Sequence, residues 1–290
     1  MRIAVTGYAS LDHVAMLDGV PVPGRTTTIL DRPQGAWPRL GGSPAYVAAA
    51  LARGGVAEAC PVSWIGDDEA GRGYRRALGE RGILDLGLAV VDGARTPVAI
   101  LAYEPAGGCI CLYHPGMPKT LGLSDAQSTL LASADWLCVT VGPQGATAAA
   151  LDALGPSARL AWVVKDDPRA LTPALAARIA ARADLVCYSR AEAEFVARAL
   201  ETAGPGKSDR ILIETRGGAG ASATRGGETV FVGAEPIEIA DPTGAGDTFA
   251  GGALAALALG ETALAPIVEA GHRAARTLLE TRRIQPNESA

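Results

Sequence analysis

The sequence predicts an α/β fold on a mostly parallel sheet, and three observations carry that prediction. From Leu121 onward, short apolar runs alternate with longer segments of helical composition. The repeating strand–helix pattern is the one that covers a parallel sheet with helices on both faces. No linker interrupts the series, so residues 1–290 read as one main domain.

Taken in order, Arg2–Gly7 reads as a buried first strand ending in a turn. Leu11 to Leu17 alternates in polarity as a second strand does. Asp18 to Leu40 is rich in Pro, Gly, Thr and Arg, and holds one short strand candidate, Thr26–Leu30. Leu40-Gly41-Gly42 is a glycine turn that opens an apolar helix running to Ala52. Cys60–Ile65 is an apolar strand, followed by a helix over Gly73–Arg81. Val98–Tyr103 and Cys109–His114 flank the turn Glu104–Gly108, a hairpin pattern. Strands then fall at Asp135–Thr140, Leu160–Val164, Leu185–Tyr188 and Arg210–Glu214. The helices between them span Thr147–Leu154, Pro173–Ala183 and Ala191–Leu200. Ser222–Val230 is a strand, a turn and a strand; Pro236–Ala240 is a short strand. Ala250–Leu259 is a buried helix of small residues, and a last helical region begins at Leu264.

Composition bounds the function. Of 290 residues 48% are hydrophobic and 20% charged, ample for a packed core. The net charge of −5 argues against a general nucleic-acid binder. Cys60, Cys109, Cys111, Cys138 and Cys187 are scattered in apolar runs, as reduced core cysteines of a cytoplasmic protein are. The Cys109-x-Cys111 pair has no partner cluster to complete a zinc site. The Met1–Val5 start lacks the long apolar stretch of a signal peptide, and no run is long enough for a membrane span.

The chemistry concentrates at Asp241-Pro-Thr243-Gly244-Ala245-Gly246-Asp247-Thr-Phe249, a turn that opens a helix. Two glycines let the backbone fold tightly and approach a ligand. Amides at a helix start form an anion site. A carboxylate planted there, Asp247, suits a general base beside an anion hole of Gly244, Ala245 and Gly246 amides. The bland alternative is a glycine-rich loop with an ordinary capping Asp.

This motif and its strand–motif–helix context resemble the signature of the ribokinase-like (PfkB-type) sugar and nucleoside kinases. The resemblance implies a three-layer αβα sandwich with a small β-sheet lid, inserted from about 11–37 and 97–114. It implies transfer of the γ-phosphoryl group of ATP to an alcohol, with Asp247 as base. Gly7 and Asp12 match the family's opening Gly-x-x-x-x-Asp, in which the Asp binds substrate hydroxyls. Gly41 and Gly42 match its acceptor turn; Tyr46 stands where Asn is common, either as an acceptor contact or as packing. Gly66-Asp67-Asp68 resembles a further signature, with helix capping as the plainer role. Ser189-x-x-Glu192 lies where the family places Mg²⁺, through water, and the triphosphate; it is also a capping box. Thr215, Gly217, Gly218 and Gly220 resemble the segment that wraps the nucleotide. His272 falls where Asn beside the adenine is usual, and Lys165 where Asp is usual; no chemistry is assigned to Lys165. Asp241 and Thr243 match positions of a monovalent-cation site, which would take K⁺. The acceptor is a sugar or a nucleoside, with Tyr46 and Trp37 offering surface for a base. The departures leave open a ligand-binding relative of low activity. Exposed strand edges of the lid suit pairing in a homodimer.

Overall fold

The computed structural model describes residues 1–33, 35–238 and 241–282. Two sheets organise it. The larger takes β1 (Arg2–Thr6), β5 (Glu58–Gly66), β6 (Leu88–Val91), β9 (Trp136–Val139), β10 (Arg159–Val163), β11 (Leu185–Ser189), β12 (Ile211–Thr215), β13 (Ala221–Arg225) and β14 (Glu228–Val232). Their spatial order is β14-β13-β12-β11-β10-β9-β1-β5-β6. The seven strands from β12 to β6 run parallel; β13 and β14 close one edge as an antiparallel hairpin. The central strands are apolar throughout because both faces are covered: Ile3, Ala4 and Val5 of β1 and all of Trp136–Val139 are buried.

Helices form the two outer layers. One face carries α1 (Ser43–Arg53), α2 (Glu69–Gly79), α7 (Ala245–Ala258) and α8 (Leu264–Glu280) over a core containing Ile3, Leu51, Tyr74, Leu254 and Ile267. The other carries α3 (Asp125–Ala132), α4 (Gln144–Ala153), α5 (Pro173–Arg182) and α6 (Ala193–Ala203) over Leu131, Leu151, Leu160, Trp162 and Ile179. Small residues let α7 lie close. A Cβ on Gly251 would meet Val47 and Ala50 of α1 at 2.7 Å, and one on Gly252 would meet Ala274 and Ala270 of α8 at 2.6 and 2.7 Å.

The second sheet is the expected lid. It contains β2 (Ser10–Leu17), β3 (Ile29–Asp31), β4 (Arg39–Gly41), β7 (Val98–Tyr103) and β8 (Cys109–His114), in the order β3-β2-β7-β8 with β4 also on β2. The 98–114 hairpin is present, with Gly107 and Gly108 in its turn.

Four expectations change. The short strand in the second segment lies at Ile29–Asp31, where Leu17 and Met16 pair with it, three residues beyond the Thr26 start. Residues 236–238 are not a strand: they run irregularly toward the glycine turn, and 239–240 lie outside the described residues. Cys109 and Cys111 are not core residues but exposed on β8; Cys60, Cys138 and Cys187 are buried, and all five are reduced. Finally, α2 starts at Glu69 because Asp68 caps it, accepting from Gly71 N at 2.8 Å. That is the plainer of the two roles for the Asp67-Asp68 pair. No helix among the described residues is long and apolar enough to cross a membrane.

Candidate active site

A cleft of ≈ 320 Å³ opens at the carboxyl ends of the parallel strands, where ligands of such sheets bind. Strand ends supply Val163 of β10 with Val164 and Lys165 after it, Cys187, Tyr188 and Ser189 on β11, and Thr215 on β12. Helix starts supply Ser43 from α1 and Gly244, Gly246 and Asp247 from α7; Glu192 and Val141 complete the wall.

The corner entering α7 is a tight turn. Ala245 N donates to Pro242 O at 3.0 Å, and Gly244 has φ 74° and ψ 4°, values a type II turn requires at its third residue. Gly244 is doubly constrained, since a Cβ there would lie 2.6 Å from the Tyr46 ring. Gly246 is different. Its backbone lies outside the left-handed region, and a Cβ on it would meet nothing within 4 Å. Nothing in the fold requires glycine at 246; the space it keeps open belongs to the cleft. Among the described residues, the amides of Gly244, Gly246 and Asp247 have no backbone acceptor. Of the expected trio, Ala245 N–H closes the turn, while the Gly244 and Gly246 amides have no backbone acceptor among the described residues.

Asp247 lines the cleft with its carboxyl pushed up to about 6. Burial is the main cause, reinforced by the like charges of Asp12 and Glu192; Ser43 hydrogen bonding and the Lys165 charge pull the other way. Lys165 and Ser43 therefore belong to the site, although nothing in their local sequence marks them for chemistry.

Asp12 lies behind this point, only 4% exposed. Ser10 Oγ donates to its Oδ1 at 2.6 Å, and Tyr46 Oη to Oδ2 at 3.4 Å. Burial raises its pKa despite those donors and the Arg39 and Arg282 charges. Gly41 makes room for it: a Cβ on Gly41 would lie 2.2 Å from the carboxylate. Gly42, at φ 83°, packs on Tyr8 O in the same way, so both glycines serve close backbone approach. From the lid, Tyr113 and Cys111 of β8 feel the Asp12 charge, and the Tyr113 ring lies 6.1 Å from that of Tyr8.

Tyr46 is packing, not a stacking surface. It is 8% exposed, with Gly244 against its ring and the Arg282 guanidinium 5.6 Å from the ring centre. Trp37 sits on the lid between His13 and Arg32.

At the β11 end of the cleft, Glu192 Oε2 accepts from Ser189 N and Oγ, each at 2.8 Å, so one carboxylate oxygen serves the capping box. Among the described residues no group of three or more His, Cys, Asp or Glu can hold a metal ion. A Mg²⁺ would thus be held by phosphate oxygens and water, with Glu192 facing it from the wall; the donor set fits that arrangement and not a protein-only cage. Gly217 and Gly218 follow Thr215 after Arg216, and an added Cβ on either would meet nothing within 4 Å, although Gly217 has φ 57°; Gly220, at φ 120°, is forced by Val232 O. His272 does not line the cleft: it packs on Phe249 at 5.2 Å, and burial lowers its pKa.

Asp241 and Thr243 form a closed cluster. Asp241, 1% exposed, pairs through Oδ2 with Arg39, while Oδ1 accepts from Thr243 N at 3.1 Å and Thr243 Oγ1 at 2.6 Å. Arg282 donates to the Thr243 carbonyl and lies 3.8 Å from Asp241 Oδ2. Burial alone would raise the Asp241 pKa, but the Arg39 bond and charge, with Thr243 and Arg282, hold it below the ordinary value. Tyr103 of β7 meets Thr243 Oγ1 at 2.6 Å and ties the lid to this corner.

With this geometry in view, comparison with known proteins gives one consistent answer. Residues 2–289 match the pfkB family carbohydrate kinase model. An ATP-dependent ribose-1-phosphate kinase of Halopiger xanaduensis is 30% identical over 258 residues, covering 88% of this chain and 84% of that protein. A nucleoside kinase of Burkholderia thailandensis in complex with inosine superposes with TM-score 0.79 at 18% identity, over 99% of this chain and 93% of that one. A ribokinase of Cryptococcus neoformans in complex with ADP gives 0.78 at 23% identity, over 96% and 94%. The sandwich is the ribokinase-like fold, and the chain belongs to the pfkB family of carbohydrate kinases, ATP-dependent phosphotransferases that act on an alcohol group.

Proposed function

We propose that this protein phosphorylates a hydroxyl of a sugar with ATP, with Asp247 as the general base. The observation that carries the proposal is Asp247 itself, lining the cleft with its pKa raised to about 6, beside a Gly246 amide that has no backbone acceptor among the described residues. Such a carboxylate is ionised at neutral pH yet basic enough to take a hydroxyl proton. ATP, bound along Ser189, Thr215, Gly217 and Gly218 with Mg²⁺ near Glu192, supplies the γ-phosphoryl group and the charge to be stabilised. The Gly244, Gly246 and Asp247 amides then face the developing negative charge with the positive end of α7 behind them. Lys165 adds a positive charge next to Asp247 and holds its pKa from rising further. Asp12 accepts hydrogen bonds from the acceptor's other hydroxyls, a role suited to a buried carboxylate with two oxygens. The lid strands β2 and β7 and the β8 side chains Cys111 and Tyr113 keep water from competing as acceptor.

A sugar is favoured because Tyr46 is consumed in packing and Arg39 keeps Nε and Nη2 without an acceptor among the described residues, beside Asp12. Both features suit an oxygen-rich ligand. A nucleoside is the second reading, and the Tyr8–Tyr113 pair near Asp12 favours it as an aromatic wall. ADP release measured across free sugars, sugar phosphates and nucleosides tests the choice. A sugar or sugar phosphate giving the highest kcat/KM supports the proposal; a nucleoside doing so moves it to the second reading. Detectable ligand binding with no ADP release from any acceptor would overturn kinase activity for this chain.

A further inference from the structure

We propose that the Arg282 guanidinium takes the place of the monovalent cation at the Asp241–Gly244 corner, making the protein independent of K⁺. A cation site there would need the Asp241 carboxylate and the Asp241 and Thr243 carbonyls as ligands. Those oxygens already converge on one nitrogen. Arg282 Nη1 donates to Thr243 O and, at 3.5 Å, to Asp241 O, and lies 3.8 Å from Asp241 Oδ2. Nη2 donates to Tyr46 Oη at 3.3 Å, and the guanidinium sits over the Tyr46 ring. The other acceptor positions of Asp241 are filled by Arg39, Thr243 N and Thr243 Oγ1. A potassium-sized ion needs a full shell of free oxygens; among the described residues the oxygens at this corner already accept hydrogen bonds from Arg282, Arg39 and Thr243.

Charge leads to the same conclusion. Two guanidinium groups, on side chains only 9% and 11% exposed, already face Asp241, and the Asp12 charge acts on Arg39 as well. A third positive charge would enter a poorly solvated spot in which, among the described residues, Asp241 already faces two cations. Arg282 lies just beyond α8, so the contact fastens the last helix to the turn that sets Gly244 and hence the Gly246 amide. For its effect on turnover the inference rests on the anion-hole role of that corner; for its effect on stability it does not.

The test uses the full chain and the variants Arg282→Met and Arg282→Lys, in choline, sodium, potassium and rubidium chloride at equal ionic strength. Two quantities are read: the unfolding midpoint without acceptor, and ADP release with the best acceptor. The wild type is expected to change by less than about twofold in rate and about 1 °C in midpoint among the salts. Arg282→Met is expected to melt lower in choline and to recover by about 2 °C or more in K⁺, because the vacated oxygens then accept an ion. Its rate should fall about tenfold and return in part with K⁺ or methylguanidinium. Arg282→Lys, which keeps a charge, should be intermediate and insensitive to K⁺. A wild type that K⁺ stabilises or activates several-fold overturns the proposal, as does an Arg282→Met protein indifferent to every cation. Should Arg282→Met not fold, the wild-type and Arg282→Lys arms still decide. Because midpoints need no acceptor, failure to find one leaves this test standing.

Discussion

Asp241 and Asp247 belong to one short motif, carry the same side chain, and have been given opposite environments. Asp241 is sealed under Arg39 and Arg282, every oxygen engaged, its pKa lowered. Asp247 lines a cleft next to two other carboxylates, with Lys165 as the only cation among the causes of its shift, and its pKa is raised to about 6. The first arrangement holds a turn in shape; the second is what the proposed proton acceptor would need. A carboxylate in a signature says little until the charges around it are known.

The predictions that press on this contrast run from large effects to small. Asp247→Asn should lower kcat by about 10²- to 10⁴-fold, the range for loss of a general base, with acceptor affinity nearly unchanged by calorimetry. The same variant should be more stable. A carboxyl whose pKa is raised from 3.8 to about 6 gains stability when protonated, fully below 3.8, and loses it as pH rises through about 6. Above that, ionised Asp247 costs the fold about 2–3 kcal/mol at most. Melting curves should show the Asp247→Asn protein above wild type at pH 8, and the gap closing toward pH 4.

Asp241→Ala should do the reverse, destabilising by about 3–5 kcal/mol because two buried guanidinium groups lose their partner. Asp241 contributes stability above pH 3.8 and loses it as pH falls through its depressed pKa, so it and Asp247 act at different ends of an acid titration. Denaturant unfolding of the variant measures the loss directly. Gly246→Ala sharpens the distinction between shape and chemistry. Alanine suits a helix start better than glycine by about 0.5–1 kcal/mol, yet its methyl would enter the space kept beside the amides. Stability should hold or rise while kcat/KM for ATP falls about 10²-fold. The smallest effect is expected from Lys165→Met. Removing its charge lets the Asp247 pKa rise, so the acid limb of the kcat/KM profile, near pH 6 in the wild type, should move to higher pH, with about a tenfold loss near neutrality.

Much of the fold was legible because parallel strands buried on both faces leave unbroken apolar runs, as in β1, β9 and β10. The elements overlooked are β4, where the sequence reads as a glycine turn, β6 and α3. Leu88–Val91 is too brief to stand out, but α3 carried a readable start: Ser124 and Gln127 form a complete capping box. Within the site, the motif around Asp247 could be read because glycine spacing and a strand–turn–helix context constrain local geometry. Arg39, Arg282, Lys165 and Ser43 could not. Their importance arises from contacts across 202 residues in one case and 41 in another, which no local pattern records. Tyr46 shows the same limit: a departure from the expected Asn is explained by the ring that Gly244 rests on, a packing fact visible only in three dimensions.

The most direct test of the central claim is single-turnover phosphoryl transfer by wild type and Asp247→Asn from pH 5 to 8, both saturated with ATP and the best acceptor. The account predicts a wild-type rate that rises about tenfold per pH unit below about 6 and then levels, and a variant at least about 10²-fold slower with no such limb. A variant that transfers at near the wild-type rate, or that keeps the same acid limb, would contradict it.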